Sequence, residues 1–346
     1  MPYDLMVLLA IVLCRGTPAA SGPPSKDARN ADRRRADAEV VPGSQRPAEE
    51  ILGPGLGEFI LIRGGEFTMG RNNGEKDDER PEHRVELSSF YVGRTPVTCE
   101  QFARFLNGAH VKPNEYLCSR VQWANAGITL ADSRWICARG AESGAACGES
   151  WILAQRYCDW LSKKTQRKCR LPTEAEWEYV CRGKEGRKLP WGNTEGDLDS
   201  KTWRWRHSTK SSKVSVGSFP KGATPEGVCD LIGYMDEICC DWYDPGFYAS
   251  SPRRNPQGPS KPVKVGQYRD AKVVRGGLER PYTGGTLVVR FFRDSQFFGV
   301  LPTTYLPRGW SRGITVPPQE PRFVNGRLGF RVVVEVKPEN GRTTRN

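Results

Sequence analysis

Long apolar runs are almost missing from this sequence. Leu5 to Cys14 is the one example, and about ten residues cannot cross a bilayer that needs roughly 20. No internal transmembrane helix is expected. Histidine is scarce too: His83, His110 and His207 lie far apart, and none of the eleven cysteines forms a C-x-x-C pair. The spacing gives a structural zinc site no support. There is no Gly-x-Ser-x-Gly elbow, so the sign of an α/β-hydrolase nucleophile is missing, and His83 reads as a structural hydrogen-bonding residue. No internal repeat is visible, and no coiled coil or collagen-like fibre is expected.

What is present describes a turn-rich globular chain. With 37% apolar residues, 37 Gly and 26 Pro in 346 residues, it can bury a core joined by many turns. Length alone suggests two domains. The net charge of +12 is uneven. Residues 1–250 are neutral, whereas residues 251–346 carry 18 Lys/Arg against six Asp/Glu. Such a region favours anionic partners. Its basic residues are scattered, with only Arg253-Arg254 adjacent, so it reads as a solvated rim and no nucleic-acid partner is expected.

Leu5–Leu13 resembles the apolar part of an export signal, and Thr17-Pro18-Ala19 offers small residues for cleavage. Asp4 stands where a positive charge is usual. Cys14 ends the run, so lipid anchoring there would be the route to a membrane, although Leu13 precedes it where a small residue is normal. The chain therefore reads as exported: periplasmic, surface-bound or secreted. Ten cysteines remain beyond Cys14, a number compatible with disulfides in that compartment; the competing reading is small buried hydrophobes.

The expected organisation is a leader over residues 1–20, a disordered linker over 21–50, one domain over 51–336 and a flexible tail over 337–346. Phe59–Ile62 reads as a first strand. Gly64-Gly65 turns the chain toward a second at Phe67–Met69, and Val85–Leu87 and Phe90–Val92 follow. Thr98 with Gln101, and Thr173 with Glu176, are capping boxes that open helices. Between them Ser150 caps a helix whose Ile152, Leu153, Tyr157, Trp160 and Leu161 recur at helical spacing. Trp177 and Val180-Cys181 supply the buried face of the last helix. A loop-rich half closes with a strand at Leu328–Val334. This order is α+β, not alternating βαβ.

Nine ordered segments then carry a resemblance. The most specific is Leu171-Pro172-Thr173-Glu174-Ala175-Glu176-Trp177-Glu178-Tyr179. Others are Gly64–Gly70, Glu79–His83, Thr95–Thr98, Pro190–Asn193, Val216–Pro220, Asp241–Pro245, Val274–Gly277 and Gly329–Arg331. Together they resemble the formylglycine-generating enzyme family, or sulfatase-modifying factors, collinearly over about residues 58–334. The resemblance implies that family's C-type-lectin-like fold in one domain, which overrides the two-domain expectation. It does not by itself imply the activity. The family includes a copper oxidase of sulfatase cysteines, iron-dependent sulfoxide-forming enzymes and non-catalytic binding proteins.

The resemblance places the copper-binding cysteine pair at Pro281 and Thr286, and no cysteine follows Cys240. Soft Cu(I) needs two thiolates, so copper is not expected. The adjacent Cys239-Cys240 is poorly arranged to replace them. The family's calcium-binding Asn is Tyr234 here, leaving Asp236 and Glu237 as calcium candidates. The iron-enzyme reading lacks its histidines. What the family's site face retains is aromatic and basic: Tyr282, Arg290, Arg293, Tyr305, Arg308, Trp310 and Arg312. These residue types make binding hot spots. Phe291 and Phe292 read as core. The leading expectation is a non-catalytic module that binds a protein or an anionic glycan through residues 278–312. The alternative is a formylglycine-generating oxidoreductase with an altered copper site. A decaying paralogue without a ligand is a third reading, against which the intact Leu171–Tyr179 run argues.

Overall fold

A computed structural model describes residues 49–53, 55–72, 79–112, 127–147, 151–194, 196, 214–263, 271–276, 294–297 and 328–337. In chain order the elements are β1 (Glu49–Ile51), β2 (Glu58–Ile62), β3 (Gly65–Met69), β4 (His83–Leu87), β5 (Phe90–Gly93), α1 (Cys99–Gly108), β6 (Ile128–Ala131), β7 (Arg134–Cys137), α2 (Trp151–Thr165), β8 (Cys169–Arg170), α3 (Glu174–Arg182), β9 (Asp236–Trp242), β10 (Ala271–Arg275), β11 (Asp294–Phe297), β12 (Leu328–Gly329) and β13 (Val333–Glu335).

The central sheet is antiparallel, in the order β1-β2-β5-β13-β8. Its strands β2, β5 and β13 have buried residues on both faces. Phe59 and Val334 look into one apolar cluster with α1 and α2. Their neighbours Ile60 and Val333 look into the other, with Trp177 of α3. Strand side chains alternate between faces, so a strand covered on both sides must be apolar throughout. This is why β13 lies in the unbroken Val332-Val333-Val334. A second sheet runs β11-β10-β9-β12, with β12 parallel to β9 and the other pairs antiparallel.

Both capping boxes form. Thr98 Oγ1 accepts from Gln101 N and Gln101 Oε1 accepts from Thr98 N, and Thr173 and Glu176 repeat the exchange. Each satisfies orphan amides at a helix start. On α1, Phe102 and Phe105 pack against Tyr157 of α2 and Phe330, with rings 5.3–6.0 Å apart. Such aromatic pairs add to the burial itself.

Three expectations change. β2 and β3 do not pair across Gly64-Gly65: β2 joins the central sheet and β3 pairs with β4. In α2, Ile152 is 56% exposed, and the buried face is Leu153, Ala154, Tyr157, Cys158 and Leu161. The third concerns α3, which is buried from Glu174 through Cys181 rather than along one stripe. A hairpin that the sequence reading did not single out joins β6 to β7. It turns at Asp132 and Ser133, both with positive φ, as a two-residue turn matching strand twist requires. Ser150 lies outside the described residues.

Candidate functional site

Because α3 is buried all round, its three carboxylates need partners. Arg275, at the end of β10, donates from Nη1 to Glu174 Oε1 at 2.9 Å and from Nη2 to Glu178 Oε2 at 2.6 Å. The Tyr248 hydroxyl also donates to Glu174 Oε1. Glu178 accepts further from Arg182 and from the Gly70 amide. Burial alone would raise the Glu178 pKa, but Arg275 and Arg182 outweigh it and hold the carboxyl down to about 2. Glu176 takes a two-pronged bond from Arg170, both contacts at 2.7 Å. Gly70 closes this network from below. It has φ 77°, and a Cβ there would meet Glu79 O at 2.7 Å. Between Arg275, Glu178, Tyr248 and Gly70 lies a recess of about 10 Å³, room for one water.

β9 then carries a bulge. Lys272 is opposite Trp242 and Val274 is opposite Ile238. Cys239, Cys240 and Asp241 therefore face the single residue Val273, and the Cys240 amide bonds instead to Pro172 O at 2.9 Å. Bulges re-aim side chains. Here Asp241 is aimed at the start of α3, where its Oδ2 accepts from Glu174 N at 2.8 Å. Burial, and then the Glu174 charge, push the Asp241 carboxyl up to about 7. On β10, Lys272 lies under Trp242 and Trp151, its Nζ 3.4 and 4.1 Å from the two ring centroids, and it donates to Cys240 O at 2.8 Å. Burial lowers its pKa to about 8.

The cysteine pair is split by this strand. Cys239 belongs to the cluster containing Trp177, and Cys240 packs against the opposite cluster with α2. Burial pushes both thiols well above their ordinary pKa, the reverse of what a metal-binding or nucleophilic cysteine needs. The two side chains do not present a joint donor set for Cu(I). All nine described cysteines are thiols, seven of them buried, which is the buried-hydrophobe reading. Among the nine described cysteines, iodoacetamide at pH 8 is therefore expected to label slowly and first at half-buried Cys137, whose pKa burial raises to about 11. Cys158, Cys181 and Cys239 should react only after denaturant is added. Peptide mapping that finds fast native labelling of Cys239 would contradict this packing.

Of the calcium candidates, Glu237 is fully buried and committed. Arg331 donates from Nε and Nη2 to its two oxygens, both at 2.5 Å, and Trp177 Nε1 donates to Oε2 at 2.8 Å. Asp236 precedes it on the strand and is half-buried, pointing the other way. Tyr234, where the resemblance leads one to expect the family's Asn, donates to Val214 O. Among the described residues no group of three or more His, Cys, Asp or Glu could hold a metal. His83 donates from Nδ1 to Pro81 O at 3.0 Å and its ring lies 4.8 Å from that of Tyr248.

Pro281, Thr286, Phe291, Phe292 and the whole proposed face (Tyr282, Arg290, Arg293, Tyr305, Arg308, Trp310 and Arg312) lie outside the described residues. Their anchors do not. The chain leaves the second sheet at Gly276, just after Arg275, and rejoins it at Asp294, paired with Val274. It joins that sheet again at Leu328-Gly329 beside Asp236 and Glu237. The sequence reading missed the role of Arg275 and Arg331, although both stand in the quoted segments Val274–Gly277 and Gly329–Arg331. Three Glu on one short helix, beside the buried face read at Trp177 and Val180-Cys181, were the signal for them.

Few helices, a mixed set of small sheets and much irregular chain define a C-type-lectin-like protein. The solved structure of PvdO from Pseudomonas aeruginosa aligns over 85% of this chain and all of its own, with TM-score 0.57 and 20% identity. Treponema denticola variable protein 1 aligns over the same shares with TM-score 0.53 and 19% identity. Residues 53–336 match the sulfatase-modifying factor enzyme 1-like domain, and the chain belongs to that family. It is 32% identical over 255 residues to the formylglycine-generating enzyme of Streptomyces coelicolor, covering 63% of this chain and 77% of that one. It is 34% identical over 225 residues to the serine/threonine-protein kinase Pkn1 of Chlamydia trachomatis, covering 65% of this chain. The chain spans about a third of the length of that kinase.

Proposed function

We propose that this chain is an exported, non-catalytic member of its family that binds a protein or an anionic glycan through the face built by residues 278–312. The observation that carries this reading is the lost donor set. Pro281 and Thr286 stand where the family resemblance puts the copper-binding cysteines, and the adjacent pair Cys239-Cys240 is divided between two buried clusters. The face keeps Tyr, Trp and Arg while lacking the redox cysteines, which suits recognition. The basic excess of residues 251–346 favours an anionic ligand.

A second reading, an oxidoreductase that converts a peptide cysteine to formylglycine, draws on the 32% identity to the Streptomyces coelicolor enzyme. One turnover assay separates the two. The purified chain is incubated with Cu(I), oxygen and a Cys-x-Pro-x-Arg peptide, and the peptide is followed by mass spectrometry. No aldehyde is expected while a control enzyme converts the same peptide. Conversion would overturn the binding-module reading.

A further inference from the structure

We propose that residues 251–259 form a salt-sensitive strap, latched to the β3–β4 hairpin by Arg253 and Arg254, that shields Asp241 and the start of α3 from water.

One end of the strap is built into the hairpin as a third strand. Glu86 N donates to Arg253 O at 2.7 Å and Asn255 N donates to Glu86 O at 2.9 Å, which sets Arg254 parallel beside Glu86. Asn255 then ties Ser88 twice. Its Oδ1 accepts from Ser88 N at 2.8 Å and its Nδ2 donates to Ser88 Oγ at 3.0 Å. It does so at φ 45°, a setting in which asparagine is enriched.

The two arginines answer a charge conflict. Glu66 and Glu86 stand directly opposite each other across β3 and β4, and like charges so placed push a strand pair apart. Arg253 pairs with Glu66 and holds its carboxyl below the ordinary range. Arg254 Nε lies 3.8 Å from Glu86 Oε1. The arginine side chains are 66% and 74% exposed, so dissolved salt screens both pairs.

The other end lies on a buried acid. Gly258 has φ 73°, and a Cβ there would come within 2.9 Å of Asp241 Oδ1. Only glycine allows so close a pass. Asp241 is 3% exposed, and its Oδ2 accepts from the Glu174 amide. Pro256, between the two ends, is buried. Lifting the strap lets water reach the Asp241 carboxyl and loosens the amide that it holds, a local opening short of global unfolding.

Hydrogen exchange of the full chain, read by mass spectrometry in low salt and in about 1 M NaCl, tests this. Amides of residues 83–88 and 251–259 should exchange roughly 2–10-fold faster in high salt, as expected for the loss of two exposed ion pairs. The Glu174 amide should quicken with them while those of α1 do not change. The double variant Arg253→Gln, Arg254→Gln should show the faster exchange already in low salt and lose the salt response. Gly258→Ala leaves every charge in place, and it should speed exchange at Glu174 while the hairpin amides keep their response to salt. Exchange in the strap and hairpin that ignores salt would overturn the latch. A salt response there that leaves Glu174 unmoved would overturn the shielding of α3.

Discussion

Replacing Arg275 with methionine is expected to cost about 3–5 kcal/mol of folding stability. The guanidinium is 1% exposed and spans Glu174 and Glu178, which are each 2% exposed. Removing it leaves two buried carboxylates short of their main cation. Glu178 keeps Arg182, and Glu174 keeps the Tyr248 hydroxyl, so the loss should fall toward the lower end of that range. Guanidinium denaturation followed by tryptophan fluorescence measures it. The double variant Arg275→Met, Glu178→Gln should recover part of the loss, because one of the stranded charges is gone. An unchanged midpoint in the single variant would mean that water reaches the network freely.

Asp241→Asn is expected to do the opposite, stabilising the protein by roughly 2–4 kcal/mol at pH 8 and by almost nothing at pH 4. The folded carboxyl sits at about 7, pushed up by burial and then by Glu174, against an ordinary 3.8. A carboxyl raised in this way favours folding while protonated. Its contribution is fully present below pH 3.8 and is lost as pH rises through 7. Asparagine keeps the acceptor for the Glu174 amide and never ionises. Glu178 works in the other sense: lowered from 4.5 to about 2, it contributes stability above 4.5 that disappears as pH falls toward 2. Denaturation midpoints of both proteins between pH 4 and 8 decide the matter. Parallel curves would show that Asp241 titrates normally.

The parts of the fold that were legible in the sequence are those governed by local chemistry. Thr98 with Gln101, and Thr173 with Glu176, announce their helices because a capping box is satisfied within four residues. Phe59–Ile62 and the closing valines announce strands because they are covered on both faces. Long-range partners left weaker traces. Nothing near Gly64-Gly65 tells that β2 pairs with β5 and β3 with β4, since that choice is made by packing between residues far apart in sequence. Ile152 followed the helical period and still lies in solvent. The candidate site divides in the same way. The motif segments located Arg275 and Arg331, but their buried ion pairs with α3 and β9 needed the assembled fold.

The position of β13 governs the timetable of assembly. Residues 333–335 lie between β5 and β8, pairing Val333 with both Val92 and Arg170. They come last among the described strands yet occupy the interior of the five-stranded sheet. During synthesis, β2 and β5 can meet early, but β8 has no neighbour until some 160 residues later. Pairings separated so far along the chain form slowly, because loop closure must precede any contact that rewards it. Until then the Val92 edge is uncovered and α1 has Tyr157 of α2 but not Phe330 against its aromatic side, so a nascent chain halted before residue 333 presents an open strand edge. A late-arriving central strand makes folding an all-at-once event, with the two apolar clusters on either side of the sheet closing together.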